Sequence, residues 1–305
     1  MRVGIIGRTS MLLETARQIL ARGHEIAFVM TCRAEAYYEV DESHFRDLAA
    51  ELGCPFYEGV NPNEHVDDIK RLGAQVCVSI NWLTLLKERF LTAFPFGVLN
   101  AHAGDLPRYK GNACANWAIL NFEPSIGLTV HRMTEALDSG PYILKRHFPV
   151  TDDTYITDVY AWLDKSVPEM FVEALDLLPT KDFVEQDATV RTLRTYPRKP
   201  EDGRIDWTLS RRDIIANVRA SSRPFDGAFC FLNGTDTRVT VFRAAPFDID
   251  FDYMAVPGQV CFSERGCPVV ATRDGMMIIQ ECLIAGLSPE ESGKRVVRSL
   301  RNRLT

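Results

Sequence analysis

No stretch of this 305-residue chain stays apolar for the 18 or so residues that a membrane-spanning helix takes. The opening residues, Met1-Arg2-Val3-Gly4-Ile5-Ile6-Gly7, read as a short strand, and no long apolar run with a small-residue cleavage site follows them. A membrane partner is therefore not expected, and the cytoplasm is the expected compartment. The eight cysteines (Cys32, Cys54, Cys77, Cys114, Cys230, Cys261, Cys267 and Cys282) form no Cys-x-x-Cys pair and no metal-like Cys/His spacing. They read as small buried hydrophobes rather than a disulfide framework, and no metal is expected. Gly4-Ile5-Ile6-Gly7 lacks the glycine spacing of a dinucleotide fingerprint, and Gly293-Lys294 lacks the rest of a P-loop. Internal repeats and low-complexity segments are also missing.

What is present is the composition of a soluble globular protein, 46% apolar and 25% charged, in a chain long enough for two domains. The net charge of −6 is uneven: residues 1–190 carry −10 and residues 191–305 carry +4. Through the first 120 residues strand-like runs alternate with amphipathic ones. Arg2–Gly7, Glu25–Thr31, Pro55–Glu58, Gln75–Ile80 and Gly97–Asn100 read as strands. Leu12–Ala21, His44–Leu52 and Glu64–Leu72 read as helices that stop at Gly23, Gly53 and Gly73. Such alternation predicts an open, mostly parallel, Rossmann-like sheet with helices on both faces. Leu128–Met133 and Tyr142–Val150 then read as strands and Thr154–Leu178 as a helix. Past a basic, Pro-containing stretch, short β-like runs (Ala228–Leu232, Arg238–Phe242, Met276–Glu281) are punctuated by Asn233-Gly234 and Asp274-Gly275 turns. They predict a small barrel. The expected division is a catalytic domain over 1–190, a linker over 191–204 and a C-terminal domain over 205–305.

The most informative segment is Asn-Ala-His-Ala-Gly-Asp-Leu-Pro-Arg-Tyr-Lys-Gly, residues 100–111. Asn100 and His102 lie two apart at the end of a strand, so both side chains leave one face. Leu106-Pro107 turns the chain, and Gly111 is expected to open a helix. In open α/β sheets, ligands bind at that strand end. Asp138, in Leu137-Asp138-Ser139-Gly140-Pro141, offers a carboxylate to orient an imidazole. A neutral amide donor, an imidazole and a carboxylate suit acyl chemistry at a carbonyl: a donor for an oxyanion, a proton carrier near its reference pKa, and the carboxylate that orients it.

Asn-x-His-x-x-x-Leu-Pro-x-Tyr-Lys-Gly, with Leu137-Asp138-Ser139-Gly140 following, resembles the folate-dependent formyltransferases, among them the sugar-nucleotide N-formyltransferases and methionyl-tRNA formyltransferase. The resemblance continues through Pro200-Glu201-Asp202-Gly203-Arg204-Ile205-Asp206-Trp207, Val218-Arg219-Ala220 and Pro224-Phe225-Asp226-Gly227-Ala228-Phe229. It implies an OB-like second domain, 10-formyltetrahydrofolate as co-substrate, and Asn100, His102 and Asp138 as catalytic residues. Ser79–Leu86 would hold the pterin, with Trp82, Leu83 and Thr84 on one side of it and Leu137, Ser139 and Gly140 on the other. Arg8, Thr9, Ser10 and Lys110 are placed to meet the acceptor. Where the family carries Ser two residues after the His, this chain has Gly104.

The acceptor expected is a small-molecule amine, foremost the amino group of a nucleotide-linked amino sugar. Methionyl-tRNA and a small-metabolite amine fit the same chemistry. Residues 33–42, where tRNA-formylating relatives place a basic loop, hold one basic residue against four acidic ones, which disfavours a phosphate backbone. A formyltetrahydrofolate hydrolase would use the same three residues, and a non-catalytic folate-binding module would not need them. The basic tail, Lys294, Arg295, Arg298, Arg301 and Arg303, reads as a solvated helix face or frayed end.

Overall fold

The computed structural model describes residues 1–35 and 38–305; Ala36 and Tyr37, in the acidic loop, lie outside the described residues. The chain divides into two compact units that are not sequential. One comprises Met1–Cys114, Ile126–Phe148 and Ala161–Thr195; the other comprises Ala115–Ser125, Pro149–Tyr160 and Tyr196–Thr305. No helix among the described residues is long and apolar enough to cross a membrane.

In chain order the elements are β1 (Arg2–Gly7), α1 (Ser10–Ala21), β2 (Glu25–Thr31), α2 (Glu42–Leu52), β3 (Phe56–Glu58), α3 (Val66–Arg71), β4 (Val76–Ile80), α4 (Glu88–Leu91), β5 (Val98–His102), β6 (Tyr109–Gly111), α5 (Cys114–Leu120), β7 (Ser125–Arg132), β8 (Tyr142–Pro149), α6 (Ile156–Leu177) and β9 (Leu193–Thr195). The main sheet has the order β3-β2-β1-β4-β5-β7-β8. β1 to β5 are parallel, and β7 runs antiparallel to β5. The chain goes from β1 outward through β2 and β3 and returns to the far side of β1 as β4. The carboxyl ends of β1 and β4 therefore flank the topological switch point, the place where open α/β sheets generally bind ligands. β1, β2 and β4, at the middle of the parallel half, are nearly all buried because helices cover both faces. Local chemistry fixes the helices: Asp41 caps α2 by accepting from the Ser43 N–H, and Gly53 ends it at φ +62°.

Three sequence expectations shift. The strand carrying the motif runs on through His102. Gly111 does not open a helix; it ends β6, which pairs in parallel with β9, and α5 starts at Cys114. Residues 191–204, expected as a linker, thus contain a paired strand.

The second unit holds α7 (Arg211–Ser221), β10 (Ala228–Phe231), β11 (Arg238–Phe247), β12 (Val260–Glu264), β13 (Cys267–Ala271), β14 (Met276–Leu283) and α8 (Pro289–Val297). Its antiparallel sheet has the order β10-β11-β14-β13-β12. Residues 302–305 bridge the two edge strands. Phe231 and Thr305 exchange backbone hydrogen bonds of 2.8 Å, the Leu304 N–H donates to the Gly258 carbonyl (2.7 Å), and the Val260 N–H donates to the Asn302 carbonyl (3.1 Å). The basic tail is therefore neither frayed nor wholly helical, since its end closes the sheet into a barrel. Net hydrogen bonds contribute about 1 kcal/mol each, and two open sheet edges would be exposed without this segment. Deleting residues 302–305 is expected to destabilise the second unit by about 3 kcal/mol, read as a lower denaturant midpoint. An unchanged midpoint would show that the closure adds nothing.

Candidate active site

β5 and β7 are the supports of the site. Their antiparallel register sets Asn100 opposite His131 and His102 opposite Thr129. All four side chains therefore share one face of the sheet. Asp138 reaches the same place from the loop between β7 and β8, at φ +47°, a left-handed conformation that Asp tolerates better than most residues. Gln186 holds that loop by donating to the carbonyls of Asp138 (2.8 Å) and Gly140 (2.7 Å). Gly140 cannot be larger, because a Cβ there would lie 1.8 Å from the Arg132 carbonyl oxygen.

Asp138 stands between two imidazoles. Its Oδ2 is 3.7 Å from His102 Nδ1, and its Oδ1 is 3.7 Å from His131 Nε2. Oδ2 also accepts the Gly111 N–H at 2.9 Å. His102 donates its other nitrogen, Nε2, to the Tyr109 carbonyl (2.9 Å). His131 Nδ1 donates to the Arg132 carbonyl (3.3 Å), which assigns Nε2 as acceptor for Asn100 Nδ2 at 3.4 Å. The second N–H of the Asn100 amide remains for a ligand oxygen. His131 is 1% exposed, yet nothing in the motif of residues 100–111 pointed to it.

Electrostatics separates the two histidines. Burial pulls His102 down, but the Cys114 sulfur, the Asp138 carboxylate and the Tyr109 carbonyl push it up to about 9. Burial, then the charge on His102, pushes His131 down to about 4 against the pull of Asp138. The sequence expectation of an imidazole near its reference pKa is thus corrected: His102 carries the proton at neutral pH and begins as an acid. The raised group contributes stability that is complete below about pH 6.5 and is lost as pH rises through about 9; the lowered group contributes stability present above 6.5 and lost as pH falls through about 4. In an NMR titration the His102 ring is expected to titrate near 9 and His131 to stay neutral down to about 4. In Asp138→Asn the His102 midpoint moves down, since burial then meets less opposition. An unmoved midpoint would mean that the two side chains do not interact.

The other expected residues are placed as follows. Lys110 donates to Ser139 Oγ (3.0 Å), which in turn donates to the Leu137 carbonyl (2.9 Å), so Lys110 sits at the rim of the Asp138 loop. Arg8, at the end of β1, is 7% exposed. It donates to the carbonyls of Asn81 (3.1 Å) and Arg33 (3.2 Å) and to the Glu35 carboxylate (3.0 Å), which joins the ends of β1 and β4. Thr9 precedes α1 and Ser10 opens it; among the described residues no hydrogen bond ties either to the Asp138 cluster. Trp82 is half-buried and donates to Thr84 Oγ1 (3.2 Å), which donates to the Val60 carbonyl (2.8 Å). Leu83 and Leu85 are 49% and 58% exposed, so this loop presents aliphatic side chains that a flat ring could cover. α4, which follows it, meets the Asp138 loop where the Glu88 N–H donates to the Glu135 carboxylate (3.2 Å).

The model of the formyl transferase family matches residues 1–175, and that of its C-terminal domain matches residues 198–292. This chain belongs to the formyl transferase family. A formyltransferase of this kind takes its formyl group from a formyltetrahydrofolate. Methionyl-tRNA formyltransferase of Citrifermentans bemidjiense is 28% identical over 292 residues, 94% of this chain and 90% of that protein. Among solved structures, the N-formyltransferase of Helicobacter canadensis, in complex with folinic acid and dTDP-3-aminofucose, shares the fold at 16% identity and a TM-score of 0.69, over 92% of this chain and 99% of that one. HypX of Aquifex aeolicus, in complex with tetrahydrofolic acid, does so at 19% identity and a TM-score of 0.65 over 98% of this chain; the formyltransferase described here spans about half of HypX, 47% of it.

Proposed function

We propose that the chain transfers the formyl group of 10-formyltetrahydrofolate to the amino group of an amino sugar carried on a nucleoside diphosphate, with Asn100, His102 and Asp138 carrying the chemistry. The amine attacks the formyl carbon, and the carbonyl oxygen gains charge. The free N–H of Asn100 meets that charge. His102, protonated at the outset, gives its proton to the departing folate nitrogen and then takes one from the attacking amine. Asp138 stabilises the imidazolium, and His131 holds the Asn100 amide. Trp82, Leu83 and Thr84 face the pterin from one loop, and Leu137, Ser139 and Gly140 from the other. Lys110 and the Arg8-Thr9-Ser10 turn receive the acceptor.

Charge is the observation that favours this acceptor. Residues 1–190 carry −10, and residues 33–42 hold four acids against Arg33. Glu35 is drawn to Arg8, and Glu42 accepts the Ala34 N–H at 2.8 Å, so these acids also shape the loop. A duplex backbone would be repelled here, whereas a diphosphate needs only a few cationic contacts. The fold is shared with an enzyme that holds dTDP-3-aminofucose. A second reading, methionyl-tRNA, is favoured by the full-length likeness to the Citrifermentans protein. Both acceptors should be run side by side with 10-formyltetrahydrofolate. Formylation of a 3-amino or 4-amino deoxysugar nucleotide with little on methionyl-tRNA is expected; efficient, salt-sensitive formylation of the tRNA would overturn the sugar assignment. Formate release without any amine would mark a hydrolase instead.

A further inference from the structure

One of the eight cysteines is not simply a core residue. Cys114, the first residue of α5, is 5% exposed and lies against the candidate proton carrier, with Sγ 3.6 Å from His102 Nε2. Its single S–H points to the side of the Gly111 carbonyl (3.5 Å) and Thr195 Oγ1 (3.2 Å), which leaves a sulfur lone pair for the imidazole. Thr195 Oγ1 in turn donates to the Lys110 carbonyl (3.2 Å). The sulfur therefore sits among residues that hold both ends of the site: Gly111, whose N–H binds Asp138, and Tyr109, whose carbonyl binds His102.

The ring reaches this sulfur only because residue 104 is glycine. A Cβ on Gly104 would lie 2.3 Å from His102 Nε2 and 2.6 Å from the Tyr109 carbonyl oxygen. With the space open, Nε2 turns toward Tyr109 and Cys114, and Nδ1 is left facing Asp138.

We propose that Cys114 is a positioning residue for His102: its sulfur, with the Tyr109 carbonyl, holds Nε2 and so keeps Nδ1 aimed at Asp138. A thiol is a weak acceptor alone, but an imidazolium shared between a carbonyl and a polarizable sulfur in a dry pocket has fewer alternative rotamers and a better-solvated charge. The remaining charged or titratable groups around His102 are Asp138 and His131, with Lys110 beyond them. None of them contacts Nε2 in the way that Cys114 and Tyr109 do.

The role in turnover rests on the functional reading above; the effect on the ring does not. The test uses Cys114→Ala and Cys114→Ser in the full chain. The His102 titration, followed by NMR without substrate, is expected to move down by about one pH unit in Cys114→Ala and by less in Cys114→Ser, whose hydroxyl also accepts from Nε2. In the formyl-transfer assay kcat is expected to fall about tenfold in Cys114→Ala, with the donor KM within about twofold, and the alkaline limb of the pH profile should follow the titration. A His102 titration unchanged in both variants overturns the proposal, even if turnover falls, because a packing defect alone would leave the proton affinity of the ring in place. If Cys114→Ala does not fold, Cys114→Val, close to cysteine in size and without an acceptor, takes its place under the same criterion. Wild-type protein that transfers no formyl group to any amine would instead defeat the functional reading and leave the titration result standing.

Discussion

His102→Ala is expected to lower kcat by about 10²- to 10⁴-fold, the usual range for a positioned acid–base. Asn100→Ala is expected to cost about 10²- to 10³-fold, the range for one oxyanion donor. The two differ in what they leave behind. On the proposed mechanism, loss of the imidazole leaves the departing folate nitrogen without a proton donor beside Asp138. Without the amide, the imidazolium persists but the developing oxyanion loses its donor, and His131 loses the group it holds at 3.4 Å. Single-turnover formyl transfer from 10-formyltetrahydrofolate, with circular dichroism to verify the folded state, separates chemistry from folding. Near-wild-type turnover by a folded His102→Ala protein would falsify its assignment as proton carrier.

Gly104→Ser, which restores the residue that the family usually carries, is expected to impair this chain rather than improve it. The added Cβ would meet His102 Nε2 at 2.3 Å and backbone at 2.6 Å, so the ring has to leave its place. A misplacement of about 1 Å in a catalytic group costs roughly 10²-fold. Gly104→Ala should be about as damaging, because the conflict lies with the Cβ and not with the hydroxyl. Steady-state kinetics of the two variants decide the matter. Serine at wild-type rate, or serine much better than alanine, would show that the hydroxyl has a use here and that the ring is not confined as described.

The parallel half of the main sheet is legible in the sequence because its signals are local. Gly23, Gly53 and Gly73 stop helices within the window over which periodicity is read, and the apolar runs between them are too short for helices. Asn100 and His102 are legible for the same reason, since a two-residue spacing on a strand puts both on one face. The partner of Asn100 is not. His131 is chosen by the β5–β7 register, a pairing across 31 residues that no local pattern encodes; alternation within β7 says only that Thr129 and His131 share a face. Gly111 misleads for a related reason: β6 exists because β9 pairs with it some eighty residues later. In the second unit α7 is hidden by its charge. Arg211, Arg212 and Asp213 open it, Arg219 interrupts its buried face, and its large apolar residues are only Ile214, Ile215 and Val218. The barrel closure by residues 302–305 was masked by the arginines that precede and interrupt it.

The carboxylate shared by two imidazoles makes the pocket a one-proton device. Between about pH 4 and about pH 9 one ring is charged and the other is not, so the two imidazoles together carry one positive charge. A formyl donor entering at any ordinary cellular pH meets the same field. Acidification or alkalinisation of the cell would then change the rate through the protonation of the incoming amine, while the single charge on the two rings stays in place.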